Sequence, residues 1–165
     1  MGAGASLLVG ALLSDGMRVT AVDIADAALV ALSGELAKRS LDSHAIDDDH
    51  RPRLIVADVR TLRLDQQVDV WHDRAVFHFL VADDDRRAYA ESAAAAVRPG
   101  GHLVIAAFAP DGPTSCSSLP VMRHDAASFM AAFGGSFEMV ESFEHTHVTP
   151  WSADQPFTHA VLRRR

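Results

Sequence analysis

The chain contains one cysteine, Cys116, so no internal disulfide can form, and the sequence fits a reducing compartment. No apolar run approaches the roughly 20 residues that a membrane-spanning helix needs. The first residues lack the basic stretch and cleavage site of a secretory leader. The expected location is therefore cytoplasmic, with no membrane partner. Positive charge is also scarce: 15 Lys and Arg stand against 22 Asp and Glu, for a net charge of −7. Such a balance offers nucleic acid no electrostatic footprint, and the basic end Arg163–Arg165 reads as solvated. Repeats, low-complexity tracts and linkers are missing too. With 165 residues, 48% of them apolar, the expectation is one domain built on one core.

The glycine pattern excludes a cofactor class. A dinucleotide fingerprint needs a third glycine in G-x-G-x-x-G, and Leu7 stands at that position. There is no Tyr-x-x-x-Lys pair of the kind some oxidoreductases use. What is present is a turn spelled Met1-Gly-Ala-Gly-Ala-Ser6, followed by Leu7, Leu8, Ala11 and Leu12 at helical spacing. A glycine-rich turn opening a helix brings backbone N–H groups close to a ligand, and the helix N-terminus favours the ligand's polar groups.

After a short helix over 7–13, Gly16 is placed to take a left-handed cap. Arg18–Asp23 then reads as a strand ending in an acid about 20 residues past the glycine turn. Asp23 either accepts hydrogen bonds from ribose hydroxyls or caps the next helix; position and spacing favour the first. The pattern continues with a helix over 27–41, an acidic loop over 42–52 and a short strand, Arg53–Asp58. Gln67–Trp71 is a fourth-strand candidate whose C-terminal end, His72-Asp-Arg-Ala-Val-Phe-His-Phe79, should face ligands. An alanine-rich helix spans 83–97, with Asp83 as N-cap and Arg98-Pro-Gly-Gly101 as its stop. His102–Phe108 is a buried strand. The loop 109–121, with three prolines, is a candidate lid or substrate loop. A helix over 125–133 and strands over 137–147 and 157–163 complete the chain, the last two joined tightly enough for an antiparallel hairpin. Strands alternating with helices imply an α/β fold with a mostly parallel sheet.

In order, Gly2-x-Gly4-x-Ser6, Asp23, Asp58, Trp71-His-Asp-Arg74 and Arg98-Pro-Gly-Gly101 resemble the motifs of class I S-adenosylmethionine (SAM)-dependent methyltransferases. The segments Trp71–Phe79, Ala109–Pro113, Cys116–Pro120 and Thr149-Pro-Trp151 are similar to small bacterial members of unassigned substrate. The resemblance implies a Rossmann-like three-layer sandwich, mostly parallel with a terminal antiparallel hairpin, and S-adenosyl-L-methionine as cofactor. By it, Gly2, Ala3, Gly4 and Ser6 hold the methionine part, Asp23 and Ile24 the ribose, and Asp58 and Val59 the adenine; Trp71 and His72 adjoin the cofactor. Asp58 otherwise reads as a turn residue.

Methyl transfer asks mainly for alignment of a nucleophile and removal of its proton. Substrate-side candidates are His72, Asp73, Arg74 and His78, with His suited to a base and Arg74 to a carboxylate. His78, flanked by Phe77 and Phe79, also reads as a core histidine. The strand pair His145-x-His147, with His124 or His72, lacks a fixed third partner, so no metal is expected. Cys116 has no marked base and reads as a loop thiol; Trp151 either closes over the site or packs. No Asn/Asp-Pro-Pro-Tyr/Phe motif follows the fourth strand, which turns the expected acceptor from a nucleobase amine or glutamine amide to a small molecule or protein side chain.

Relative to the resemblance, the initial helix and first strand are missing ahead of Met1; the favoured expectation is a true start further upstream, the alternative a degenerate copy that binds SAM poorly. The fold is expected with its first strand missing, and each buried backbone group left unpaired would cost about 1–3 kcal/mol against a total of about 5–15 kcal/mol. This 165-residue form is thus expected to be poorly active, and micromolar affinity for SAM would overturn that. The alternative function is a non-catalytic methyltransferase-like binding or scaffold domain.

Overall fold

The computed structural model describes residues 1–4, 6–39 and 51–165, which form two compact units, Met1–Val59 and Arg60–Arg165. In the first unit, the apolar run after the glycine turn forms α1 (Leu7–Ser14). Ser6 caps it by accepting the N–H of Leu8, satisfying one of the orphan donors at the helix start. Gly16 closes it at φ 74°. The N–H groups of Gly16 and Met17 return to the carbonyls of Leu13 and Leu12, the paired bonds of a Schellman cap.

The chain then enters β1 (Thr20–Asp23), α2 (Asp26–Lys38) and β2 (Arg53–Val56). β1 and β2 are parallel, from Thr20 opposite Arg53 to Asp23 opposite Val56. Leu29, Leu32 and Leu36 recur on one face of α2 and bury with Val9 and Ala21. The expected helix end at 40–41 and most of the acidic loop lie outside the described residues.

The second unit begins with β3 (Val68–Arg74), a 3₁₀ turn (Phe77–Phe79), α3 (Asp83–Ala96) and β4 (Val97–Phe108). The small hairpin β5 (Ser115–Cys116) and β6 (Leu119–Pro120) follows, then α4 (Ala126–Phe133), β7 (Phe137–Val148) and β8 (Asp154–Arg164). The sheet runs β3-β4-β8-β7. β3 and β4 are parallel, whereas β8 is antiparallel to both of its neighbours, so the final hairpin is as expected.

Three sequence expectations change here. The fourth strand does not stop at Trp71: it pairs with β4 as far as Arg74 opposite Ala106, so His72, Asp73 and Arg74 are strand residues. Arg98-Pro-Gly-Gly101 is not a gap between elements, because β4 starts at Val97 and carries those residues as a bulge between the pairs Val68–Val97 and Val70–His102. A Cβ at Gly101 would stand 2.8 Å from the Asp69 carbonyl oxygen, so this close backbone approach requires glycine. Finally, the N-cap of α3 is Ala82, and Asp83 lies in the first turn beside Asp84 and Asp85, where negative charge suits the helix dipole.

Period-two alternation divides the sheet into two faces. Trp71, Leu103, Ile105, Ala160 and Leu162 are buried on the face that takes α3 and α4. His72, Val104, Val161 and His159 lie on the other and are half-buried.

The core around the 3₁₀ turn also holds His78 and His124, at 0% and 1% exposure. His124 Nδ1 meets Ser128 Oγ at 3.2 Å, while His124 Nε2 and both His78 ring nitrogens have no hydrogen-bond partner among the described residues. Burial pushes each pKa from 6.5 to about 4, and the mutual repulsion of the two rings adds to this for His78. The fold therefore holds both neutral, whereas the unfolded chain protonates them near 6.5. Their stabilising contribution is complete above that pH and is lost as pH falls toward 4. We expect the urea unfolding free energy to drop by a few kcal/mol between pH 7.5 and 4.5, with a flatter profile in His78→Leu. Equal acid sensitivity in the variant would exclude His78 as a source.

Candidate functional site

In the first unit, the glycine turn and the end of β1 are tied together. The Ala3 N–H donates to the Val22 carbonyl at 3.0 Å, and the Gly4 N–H donates to Asp23 Oδ2 at 3.0 Å. The other Asp23 oxygen accepts the Ala25 N–H at 2.9 Å, just ahead of α2. Asp23 thus serves both the turn before α1 and the entry to α2. It is half-buried, and each carboxylate oxygen keeps lone-pair capacity beyond its one backbone donor.

Gly2 and Gly4 adopt φ 58° and 44°, the left-handed region that glycine enters without strain. Space for a Cβ at Gly4 is open, with nothing within 4 Å. Ser6 is occupied in capping α1, Ile24 projects at 71% exposure, Asp58 is half-buried beyond β2, and Val59 is buried. A strand-end carboxylate that orders the glycine turn and keeps acceptor capacity suits the hydroxyls of a nucleoside.

In the second unit, the two faces of β3 separate the predicted residues. Trp71 and Asp73 point under α3. The Trp71 Nε1–H donates to the Tyr89 hydroxyl at 2.8 Å, and that hydroxyl donates to Asp73 Oδ2 at 2.6 Å. Asp73 also accepts the N–H groups of Val76 at 2.9 Å and Phe77 at 3.2 Å. Burial raises the Asp73 carboxyl above its ordinary range, against the pull of these bonds. Tyr89 is driven well above 10 by burial and by the Asp73 charge. This network holds the chain as it leaves β3 through Ala75, whose φ is 65°.

His72 and Arg74 lie on the opposite face. His72 is half-buried, and its pKa is lowered by desolvation, with Arg74 and His159 adding to the shift, so it is neutral at neutral pH. Arg74 is exposed, and its guanidinium sits 5.6 Å from the Phe157 ring centroid. His78 is sealed in the aromatic core, 4.7 Å from Phe108.

Sequence reasoning passed over His159, which shares a row with Arg74 and Ala106, and weighed His145 only as a metal ligand. Their placement follows from the β4–β8–β7 register, which no local pattern reveals. Among the described residues, no three His, Cys, Asp or Glu side chains converge on a metal-sized site. Likewise, no described helix is long and apolar enough to cross a membrane.

A glycine turn pinned to an acid at a strand end, and a sheet finished by an antiparallel terminal strand, define the Rossmann-like fold of SAM-dependent methyltransferases. The chain belongs to the family described as "Methyltransferase domain", which matches residues 1–103. Among solved structures, it is similar to a SAM-dependent methyltransferase from Methanosarcina mazei, with a TM-score of 0.82 at 12% identity, covering 99% of this chain and 89% of that one. A chain solved in work on the conversion of a disulfide bond into a thioacetal group during echinomycin biosynthesis gives 0.79 at 20% identity, covering 99% and 73%. The N-methyltransferase NodS from Bradyrhizobium japonicum, in complex with S-adenosyl-L-homocysteine, gives 0.66 at 14%, covering 89% and 66%. At these identities the likeness is one of fold. No curated protein matches the sequence significantly.

Removing the Tyr89 hydroxyl would strand the buried Trp71 N–H and leave Asp73 Oδ2 with only the longer bond from the Phe77 N–H. Tyr89→Phe should therefore lower the urea unfolding free energy by about 2–3 kcal/mol. A loss under about 0.5 kcal/mol, the range of an ordinary surface change, would mean that the network contributes little.

Proposed function

We propose that the chain is a SAM-dependent methyltransferase acting on a small molecule or a protein side chain. The observation that carries this reading is the Gly4–Asp23 hydrogen bond. It fixes the glycine turn against the strand-end carboxylate while leaving that carboxylate accessible. In this reading, the backbone at Gly2, Ala3 and Gly4 receives the methionine end of the cofactor. Asp23 accepts the ribose hydroxyls beside Ile24, and Asp58 takes the adenine edge. When bound, S-adenosylmethionine supplies a methyl group already activated by its sulfonium.

The remaining chemistry belongs to the acceptor side. His72, neutral at neutral pH, is able to accept a proton from a hydroxyl or amine nucleophile. Arg74 offers a charged donor to an anionic group of the acceptor. We assign Asp73 to positioning: its carboxylate is committed to Tyr89, Val76 and Phe77, and it sets the turn that follows Arg74. His78, walled in by Phe79 and Phe108, has a structural place.

Calorimetric titration with S-adenosyl-L-homocysteine tests the reading without knowledge of the acceptor. Binding is expected, and Asp23→Ala should weaken it at least tenfold, since both a carboxylate acceptor and the anchor of the glycine turn are lost. Absence of binding by the folded chain would overturn the enzymatic reading and leave a non-catalytic methyltransferase-like module.

A further inference from the structure

The sheet face opposite α3 and α4 gathers cationic and aromatic side chains that the reading above does not fully use. In one row, Arg74 on β3 lies opposite Ala106 on β4, which lies opposite His159 on β8, which lies opposite Phe143 on β7. The Phe143 and His159 rings stack at 4.9 Å with only 2° between their planes, and Phe143 is 48% exposed. One step toward the strand ends, Phe157 carries the Arg74 guanidinium on its ring. His145, opposite Phe157, places its ring 6.3 Å from that of His159. His72 lies two residues below Arg74 on the same face.

These side chains feel one another. Burial lowers the His159 pKa, and the charges of His145 and Arg74 lower it further. Among the described residues Arg74 has no carboxylate partner. Two acids share the face: Glu141 lies opposite Val161, and Glu138, at the far end, pairs with Arg163. Arg74 is therefore a cation without a carboxylate partner beside an exposed aromatic surface, with Glu141 the one unpaired acid described on the face. Its upper wall is the 109–121 loop, where Cys116 and Val121 pack over Phe108 and Phe157.

We propose that this face is the acceptor-binding surface and that it takes a planar aromatic carboxylate, the anion on Arg74 and the ring against Phe143 and His159. Charge complementarity selects the carboxylate: an unpaired guanidinium forms two parallel hydrogen bonds with it, and the neighbouring imidazoles add donors without adding acid. The stacked Phe143–His159 surface selects the flat ring. The use of the site in catalysis rests on the methyltransferase reading; its ligand chemistry does not.

The test is a titration of the full chain, labelled at histidine Cε1, with benzoate, followed by NMR at pH 7.5. Benzamide serves as the neutral isostere, and cyclohexanecarboxylate as the non-planar acid. Benzoate should shift the His159 and His72 resonances saturably, with benzamide and cyclohexanecarboxylate at least tenfold weaker. Arg74→Gln should raise the benzoate Kd at least tenfold, and Phe143→Ala should erase the preference for benzoate over cyclohexanecarboxylate. Both substitutions fall on exposed side chains, and a retained wild-type amide spectrum shows that the fold persists.

Equal shifts by benzamide, or an Arg74→Gln affinity equal to wild type, would overturn the proposal. Benzoate binding without S-adenosylhomocysteine binding would sink the enzymatic reading while leaving this site standing. The reverse result would sink the site alone.

Discussion

The second unit depends on one buried carboxylate. Asp73 lies at 0% exposure with a tyrosine hydroxyl and two backbone N–H groups aimed at it, and the tyrosine in turn holds the indole of Trp71. A carboxyl group in such a place is tolerable only when the hydrogen-bond demands of both its oxygens are met. Meeting them forces the chain to leave β3 through a left-handed alanine and coil at once into the 3₁₀ turn. That turn sends Phe77 into the aromatic centre, where it touches Tyr89, Phe129 and Phe133. One polar knot therefore sets both the register of the turn and the packing of α3 and α4 on the sheet.

Because neighbouring residues in a strand face opposite ways, the same knot decides what His72 and Arg74 do. With Trp71 and Asp73 committed inward, their neighbours are held on the outer face by two anchors rather than by their own contacts. The division is clear along four residues: the odd positions are buried in the core and the even ones stand on the outer face.

Much of this architecture was legible in the sequence, and the exceptions have physical causes. Gly16 as a left-handed cap, the strand-end position of Asp23 and the closing antiparallel hairpin could be read from local pattern. Those features are governed by contacts within a few residues or by one strong periodicity. By sequence this strand ends at Trp71, yet the alternation of Trp71, His72, Asp73 and Arg74 continues it as far as Arg74. The bulge at Arg98–Gly101 hid the true start of β4, since a proline and two glycines usually mark a break. Of the candidate site, the glycine turn and its acid were visible. The row of Arg74, His159 and Phe143 across β3, β8 and β7 was not, because it exists only through strand pairings, Arg74 with Ala106, Ala106 with His159 and His159 with Phe143, that no local pattern sets.

The placement of β8 carries a consequence for how the molecule is made. β8 lies between β4 and β7, and both are synthesised before it. Until residues 154–164 emerge, β4 has an unpaired flank and β7 has no ladder at all, so the nascent chain carries the open edge of β4 from residue 108 onward and, just before β8, that of β7 as well. Closure of the sheet is then a single late event that joins four strands at once. Nascent chains stalled within that stretch would be clients for chaperones rather than partly working proteins.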